Sequence, residues 1–278
     1  MADKRLLTDD QRELIKLVEG SDSVEMKLTV PATAGRGAVQ ALGIDPLDAQ
    51  IRQVFFFDTP TLDLNDAGVV VRARRIQGRG DDSVVKLRPV VPAELPPEWR
   101  KSPNLVVEVD AMPGGYVCSA SMKGAPERSV REHVAKGGRN SRLFSKEQRR
   151  FFERSAPPGL QLDDLTVLGP IFVLKAKSVP ADLGVKVVGE LWLYPDGSLI
   201  MELSAKSAPE AALRTAVKVA DFLRGAGVDL TGEQQTKTKT ALQFFADQLA
   251  APNGATPGKA PAKTTGRARA RRREPARQ

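Results

Sequence analysis

A chain of 278 residues with 41% hydrophobic content can bury one large core or two small ones. Its longest apolar run is far below the roughly 18 residues a membrane span needs, and the opening stretch MADKRLLTDDQREL lacks the apolar centre of a signal peptide, so a globular cytoplasmic protein is expected. The single cysteine, Cys118, excludes an internal disulfide, and with one histidine, His133, a zinc site of the usual His/Cys kind is excluded too; both read as structural or surface residues.

The formal net charge is +8, and its location matters. Residues 251–278 hold two Lys, six Arg and one Glu, or +7, which leaves +1 for the other 250 residues. That tail is rich in Pro, Gly and Ala without apolar periodicity, so burial cannot offset its ordering entropy and disorder is expected. Its basic end suits contact with a polyanion. The body lacks the basic excess expected of a DNA- or RNA-binding domain.

Thr8 to Gln11 form a capping-box pattern before Leu14, Ile15 and Val18 at helical spacing, which predicts an opening helix over 8–19. Ser23 to Val30 alternates polar and apolar, as a strand does, and Pro31 ends it. A weak helix to about Leu42 precedes strands at 51–58, 68–76, 82–90 and 104–111. From Cys118 to Leu168 helical and loop signals take over, including the Ser145 to Gln148 capping box that opens SKEQRRFFER. Three strands follow, IFVLKAKSV, VKVVGELWLY and SLIMELSAK, the last two joined by the turn Pro195-Asp196-Gly197-Ser198. Ser207 with Glu210 predicts a capped helix ending near Gly225, and a last helix runs from near Gln234 to Ala250.

Charged residues recur at spacing two along these strands, which puts each pair on one sheet face. The pairs are Glu25 and Lys27, Arg72 and Arg74, Lys86 and Arg88, Glu108 and Asp110, and Lys175 and Lys177, with single acids Glu190 and Glu202 on the late strands. One strand of this kind is an ordinary solvated face. Eight such strands are enough to curl into a barrel, and the charges then line a cavity. Buried charges need partners or ions, so a lumen with both signs suits a polyphosphate on its cations and a divalent metal on its carboxylates.

The order of Glu25-Met26-Lys27, FFFDTPTLDLNDAGVVVRARR (55–75), VVKLRPV, VVEVD, a late basic strand and acidic strands after it resembles the CYTH domain, also called the triphosphate tunnel metalloenzyme fold. The most specific parts are the Asp58-Thr59-Pro60 turn and the strands 68–74 and 86–88. The resemblance spans roughly residues 21–250. It implies an α+β protein built on an antiparallel eight-stranded β-barrel with flanking helices, and the residues around and within that span add an N-terminal helical extension over 1–20, a helical insertion at about 118–168 and a basic tail over 251–278. It implies Mg²⁺ or Mn²⁺ as cofactor and a small triphosphate or polyphosphate as substrate.

Carried over residue by residue, the resemblance makes Lys27, Arg72, Arg74, Lys86 and Arg88 a phosphate clamp, joined by Lys175 or Lys177 and by Lys237 or Lys239. It makes Glu25, Glu108, Asp110, Glu190 and Glu202 the metal ligands, with Glu25, Glu190 and Glu202 also placed to orient water. The family pattern opens Glu-x-Glu-x-Lys and closes Glu-x-Glu, whereas this chain has Ser23 and Ser204 at one acid of each. Serine is a weak metal ligand, so both replacements remove negative charge. Either the remaining acids hold one ion, or the tunnel binds polyphosphate or a nucleotide without cleaving it. The leading expectation is a metal-dependent triphosphatase. A class IV-type adenylate cyclase and a non-catalytic polyphosphate- or nucleotide-binding module are the alternatives.

Overall fold

The structure, a computed structural model, describes residues 8–31, 34–228, 230, 234 and 236–251. The expected disordered tail lies outside the described residues apart from Ala251. Among the described residues nine strands run in chain order as β1 (Ser23–Val30), β2 (Gln50–Asp58), β3 (Val69–Ile76), β4 (Asp82–Leu87), β5 (Leu105–Met112), β6 (Gly115–Gly124), β7 (Thr166–Ser178), β8 (Val187–Leu193) and β9 (Leu199–Ser207). They close into a barrel in the order β1-β5-β6-β4-β3-β2-β7-β8-β9. The helices are α1 (Asp9–Glu19), α2 (Gly35–Ala41), α3 (Asp63–Asp66), α4 (Pro97–Arg100), α5 (Val130–Ala135), α6 (Lys146–Ser155), α7 (Ala212–Gly225) and α8 (Lys237–Ala250).

The expectation of eight antiparallel strands is corrected in two places. The ninth strand, β6, occupies residues read from the sequence as the start of a helical segment, because Ser119, Ser121 and Lys123 break the apolar run that would have marked it. It pairs with β5 through the tight connection at Gly114, whose φ of +87° suits glycine. The barrel is also mixed: β1 lies parallel to β5 and antiparallel to β9.

Because the lumen is polar, the apolar residues of the wall face outward onto helices. Phe55, Phe57, Val71, Val85, Val107 and Met122 pack against Phe151 and Phe152 of α6, Val130 of α5 and Leu17 of α1. Leu28, Val30, Leu203 and Ala205 pack against Ala38 of α2 and Val219 and Leu223 of α7. The α6 capping box is present as expected, and its Gln148 does more than cap. The fully buried amide accepts from Ser83 Oγ at 3.0 Å and donates to the Met122 carbonyl at 3.1 Å, fastening the helix to β4 and β6. The expected cap at Ser207 is not formed. Ser207 ends β9, and α7 starts after Pro209–Ala211 without a side-chain cap.

A second apolar group lies inside the barrel at one end. Val54, Phe56, Val70, Trp192 and Ile200 share the lumen parity of their strands and pack against Ala241, Leu242, Phe245 and Ala246 of α8. The middle Phe of the triplet thus points inward while its neighbours point out, and α8 closes that end.

Candidate functional site

The lumen is a cavity of about 1070 Å³ lined, among the described residues, by thirteen Lys and Arg side chains and seven carboxylates. Strand periodicity places them. Arg72 and Arg74 on β3 stand opposite Val84 and Asp82 on β4, while Lys86 follows on β4 and Arg88 just beyond it. Arg88 is fixed by a backbone bond from its N–H to the Gly68 carbonyl at 2.8 Å. Gly68 has a φ of +74°, and a Cβ there would lie 2.2 Å from the Arg88 carbonyl oxygen, so only glycine allows the clamp strands this approach. The Asp58-Thr59-Pro60 turn is scaffolding: buried Asp58 accepts from the amides of Thr59, Leu64 and Asn65 at 2.8, 2.9 and 3.0 Å, which holds the turn that leads into β3.

One side of the wall, β6-β4-β3-β2, is rich in cations without counter-ions. Arg72 is half-buried, its buried Nε has no hydrogen-bond partner, and no carboxylate lies within 4.0 Å of it among the described residues, although Asp82 and Glu190 act on it from farther away. Burial first, and then the neighbouring Arg74, push its guanidinium down to about 9. Arginine keeps its proton at physiological pH, so that push expresses how strongly the position favours an added anion. Arg52 and Arg88 are pushed down as well, chiefly by burial, and neither has a carboxylate partner among the described residues. Arg74 and Lys86 are the exceptions: Arg74 Nε lies 2.7 Å from Asp82 Oδ1, and Lys86 reaches across to Asp110.

The opposite side, β8-β9-β1-β5, carries Glu25, Glu108, Asp110, Glu190 and Glu202, each held by lysine, while Asp81 in the β3–β4 turn accepts from the Ile76 and Val130 amides. Asp110 is 2.8 Å from Lys27 and 3.3 Å from Lys86. Burial pushes its carboxyl up, but Lys86 and Lys27 outweigh that and hold it down to about 2. Glu25 contacts Lys27 at 3.3 Å, and Glu108 contacts Lys206 and accepts from Ser23 Oγ at 3.2 Å. Oxygens of Glu25, Glu108 and Asp110 lie within 4.8 Å of one another, a grouping that fits a single divalent cation. Burial and then the nearby Glu25 carboxylate push Glu108 up, against the pull of Lys206.

Glu190 and Glu202, expected with these three, are elsewhere. They face each other across β8 and β9, and Lys237 of α8 sits between them, touching Glu190 and 2.7 Å from Glu202. Lys175 holds the other Glu190 oxygen at 2.8 Å. Against burial, Lys237 and Lys175 hold the Glu190 carboxyl well below the usual range. Of the paired alternatives, Lys175 and Lys177 both line the cavity, whereas Lys237 lines it and Lys239 is exposed outside it. Sequence reasoning missed Arg52, Asp82, Lys123 and Lys206. Parity would have found Lys206, two beyond Ser204, and Asp82, four before Lys86. Lys123 was hidden by the missed strand, and Arg52 has no charged neighbour at spacing two. The end away from α8 is rimmed by exposed Arg79, Lys123, Lys177, Lys186 and Lys206.

Neither a protein-family model nor a curated protein matches the chain. Solved structures do. A Hippeastrum protein provisionally assigned as an adenylyl cyclase, and described as having a dominant triphosphatase activity, is 18% identical with a TM-score of 0.55 over 79% of this chain and 95% of its own. A provisionally assigned adenylate cyclase of Bacillus halodurans is 12% identical with a TM-score of 0.54 over 79% of this chain and 97% of its own. The architecture is that of the triphosphate tunnel, or CYTH, fold. No helix among the described residues is long and apolar enough to cross a membrane.

Proposed function

We propose that this chain is a metal-dependent hydrolase of a small triphosphate compound. The observation that carries the reading is Arg72, whose buried Nε has no partner and whose guanidinium has no carboxylate within 4.0 Å, set in a lumen where cations outnumber carboxylates thirteen to seven among the described residues. Such a site is incomplete without a polyanion. Arg52, Arg72 and Arg88 take phosphate oxygens from one side; Arginine's planar fork suits two oxygens at once. Lys27 and Lys86, already placed around Asp110, reach the same anion as point charges. Glu25, Glu108 and Asp110 would hold Mg²⁺ or Mn²⁺, which would neutralise phosphate charge. The exposed cations at the rim draw the substrate in from the end opposite α8. Phosphoryl transfer asks for positioning and charge rather than covalent work, and this wall supplies both.

The provisional cyclase assignments of the structural neighbours make cyclisation of ATP the second reading. Both are tested by incubating the protein with inorganic triphosphate, thiamine triphosphate or ATP, with Mg²⁺, Mn²⁺ or EDTA, and resolving the products. Metal-dependent release of phosphate is the expected result. Release of pyrophosphate with cyclic nucleotide would move the assignment to the cyclase, and triphosphate binding without any product would leave a binding module.

A further inference from the structure

Ser204 stands where the sequence pattern would place an acid, and its position in the barrel shows what that replacement does. Thr29 of β1 is the register partner of Glu202, and Glu25 lies four residues away on the same strand, about 13 Å at roughly 3.3 Å per residue. The layer between them holds Lys27 opposite Ser204, with Val188 beside it and no carboxylate from these three strands. The acids therefore fall into a triad, Glu25, Glu108 and Asp110, and a separate pair, Glu190 and Glu202. A divalent ion needs its oxygens at about 2.0–2.6 Å, so one ion cannot serve both groups.

Lysines touch both groups, Lys27, Lys86 and Lys206 the triad and Lys237 and Lys175 the pair, but only the triad brings three carboxylates within 4.8 Å of one another among the described residues. Lys237 spans both carboxylates, Lys175 takes the remaining Glu190 oxygen, and the Trp192 indole donates to Glu190 at 3.2 Å. Lys237 is not a mobile surface residue that happens to fall there. Its backbone carbonyl accepts from Tyr194 Oη at 3.0 Å, its ammonium lies 5.1 Å from the Trp192 ring centroid, and the helix it opens is anchored by Leu242 and Phe245 inside the barrel end. Removing the ammonium would leave Glu190 with Lys175 and take away the lysine that holds Glu202.

We propose that Lys237 is a built-in cation that takes the place of a second metal, so that the tunnel accepts one divalent ion, at Glu25, Glu108 and Asp110, while the Glu190–Glu202 pair is reserved for the protein's own ammonium. The proposal rests on the metal-dependent reading above, and it assigns different work to acids that the sequence grouped together. Glu190 and Glu202 become positioning residues for Lys237, whose charge faces the lumen from the closed end.

The test counts bound Mn²⁺ by electron paramagnetic resonance titration of the full chain with Mn²⁺ alone, with melting curves to verify folding. One ion per chain is expected in the wild type and in Glu202→Gln, none in Glu25→Gln, one in Lys237→Arg and two in Lys237→Met. Two ions or none in the wild type would overturn the proposal. So would a Glu202→Gln variant that binds fewer ions than the wild type, or a folded Lys237→Met variant that stays at one. Because the wild-type and Glu202→Gln counts do not depend on Lys237→Met, a variant that fails to fold leaves the decision intact. The readout is independent of turnover: one bound ion without phosphate release would sink the hydrolase reading and keep this one.

Discussion

The two sides of the tunnel wall carry charge in opposite ways. On β8-β9-β1-β5 every lumen carboxylate is tied to a lysine, whereas on β2-β3-β4 Arg52, Arg72 and Arg88 have no carboxylate partner among the described residues. Both sides are about equally removed from water, so burial does not distinguish them. What differs is whether the protein itself supplies the counter-ion. A buried cation left without a counter-ion in the chain marks where an anion must come, whereas the lysines hold the paired carboxylates in position.

The contrast is sharpest at Arg72. Arg72→Leu is expected to reduce triphosphate turnover roughly 10²- to 10³-fold, the scale typical of losing one preorganised charge contact in a phosphoryl or acyl site. It should leave the melting temperature of the ligand-free protein unchanged or higher, because it removes a buried charge that lacks a partner. A lowered melting temperature would mean that Arg72 belongs to the framework.

Asp110 should behave in the opposite way. Asp110→Asn leaves Lys27 and Lys86 short of a counter-ion and is expected to destabilise the fold by about 3 kcal/mol, read from denaturant unfolding. Its carboxyl is depressed from an ordinary 3.8 to about 2, so its contribution is present above pH 4 and is lost as the pH falls through 2. The shift corresponds to about 2 kcal/mol. Wild-type stability should therefore fall over that window more steeply than that of Asp110→Asn, and parallel curves would place the acid sensitivity elsewhere.

The smallest effect belongs to the rim. Lys177 is exposed and has no carboxylate partner among the described residues. Lys177→Ala should weaken triphosphate binding only about two- to fivefold at low salt, with the difference fading as added salt shortens the Debye length. A salt-insensitive loss measured by calorimetry would move Lys177 from the approach path into the clamp.

Much of this was legible in order along the chain. The strand alternation at Ser23–Val30 and the α1 and α6 capping boxes stand as read, because each depends on residues within three or four positions of one another. The charged pairs at spacing two do share the lumen face, for the same reason. Local signals failed where local residues were ambiguous: β6 is interrupted by serines, and Ser207 and Glu210 match a cap that Pro209 and the end of β9 preclude.

By itself, then, the sequence determined which side chains face inward and that the inward face is ionic, since a period of two follows from the covalent geometry of an extended chain. Only the tertiary structure decided who meets whom. The parallel β1–β5 pairing joins Glu25 to Asp110, the β1–β9 register puts Ser204 between two groups of acids, and α8 delivers Lys237 from 35 positions beyond Glu202 to sit beside it. Register and closure are set by long-range packing of the outer apolar faces on the helices, and no window of local sequence contains that information.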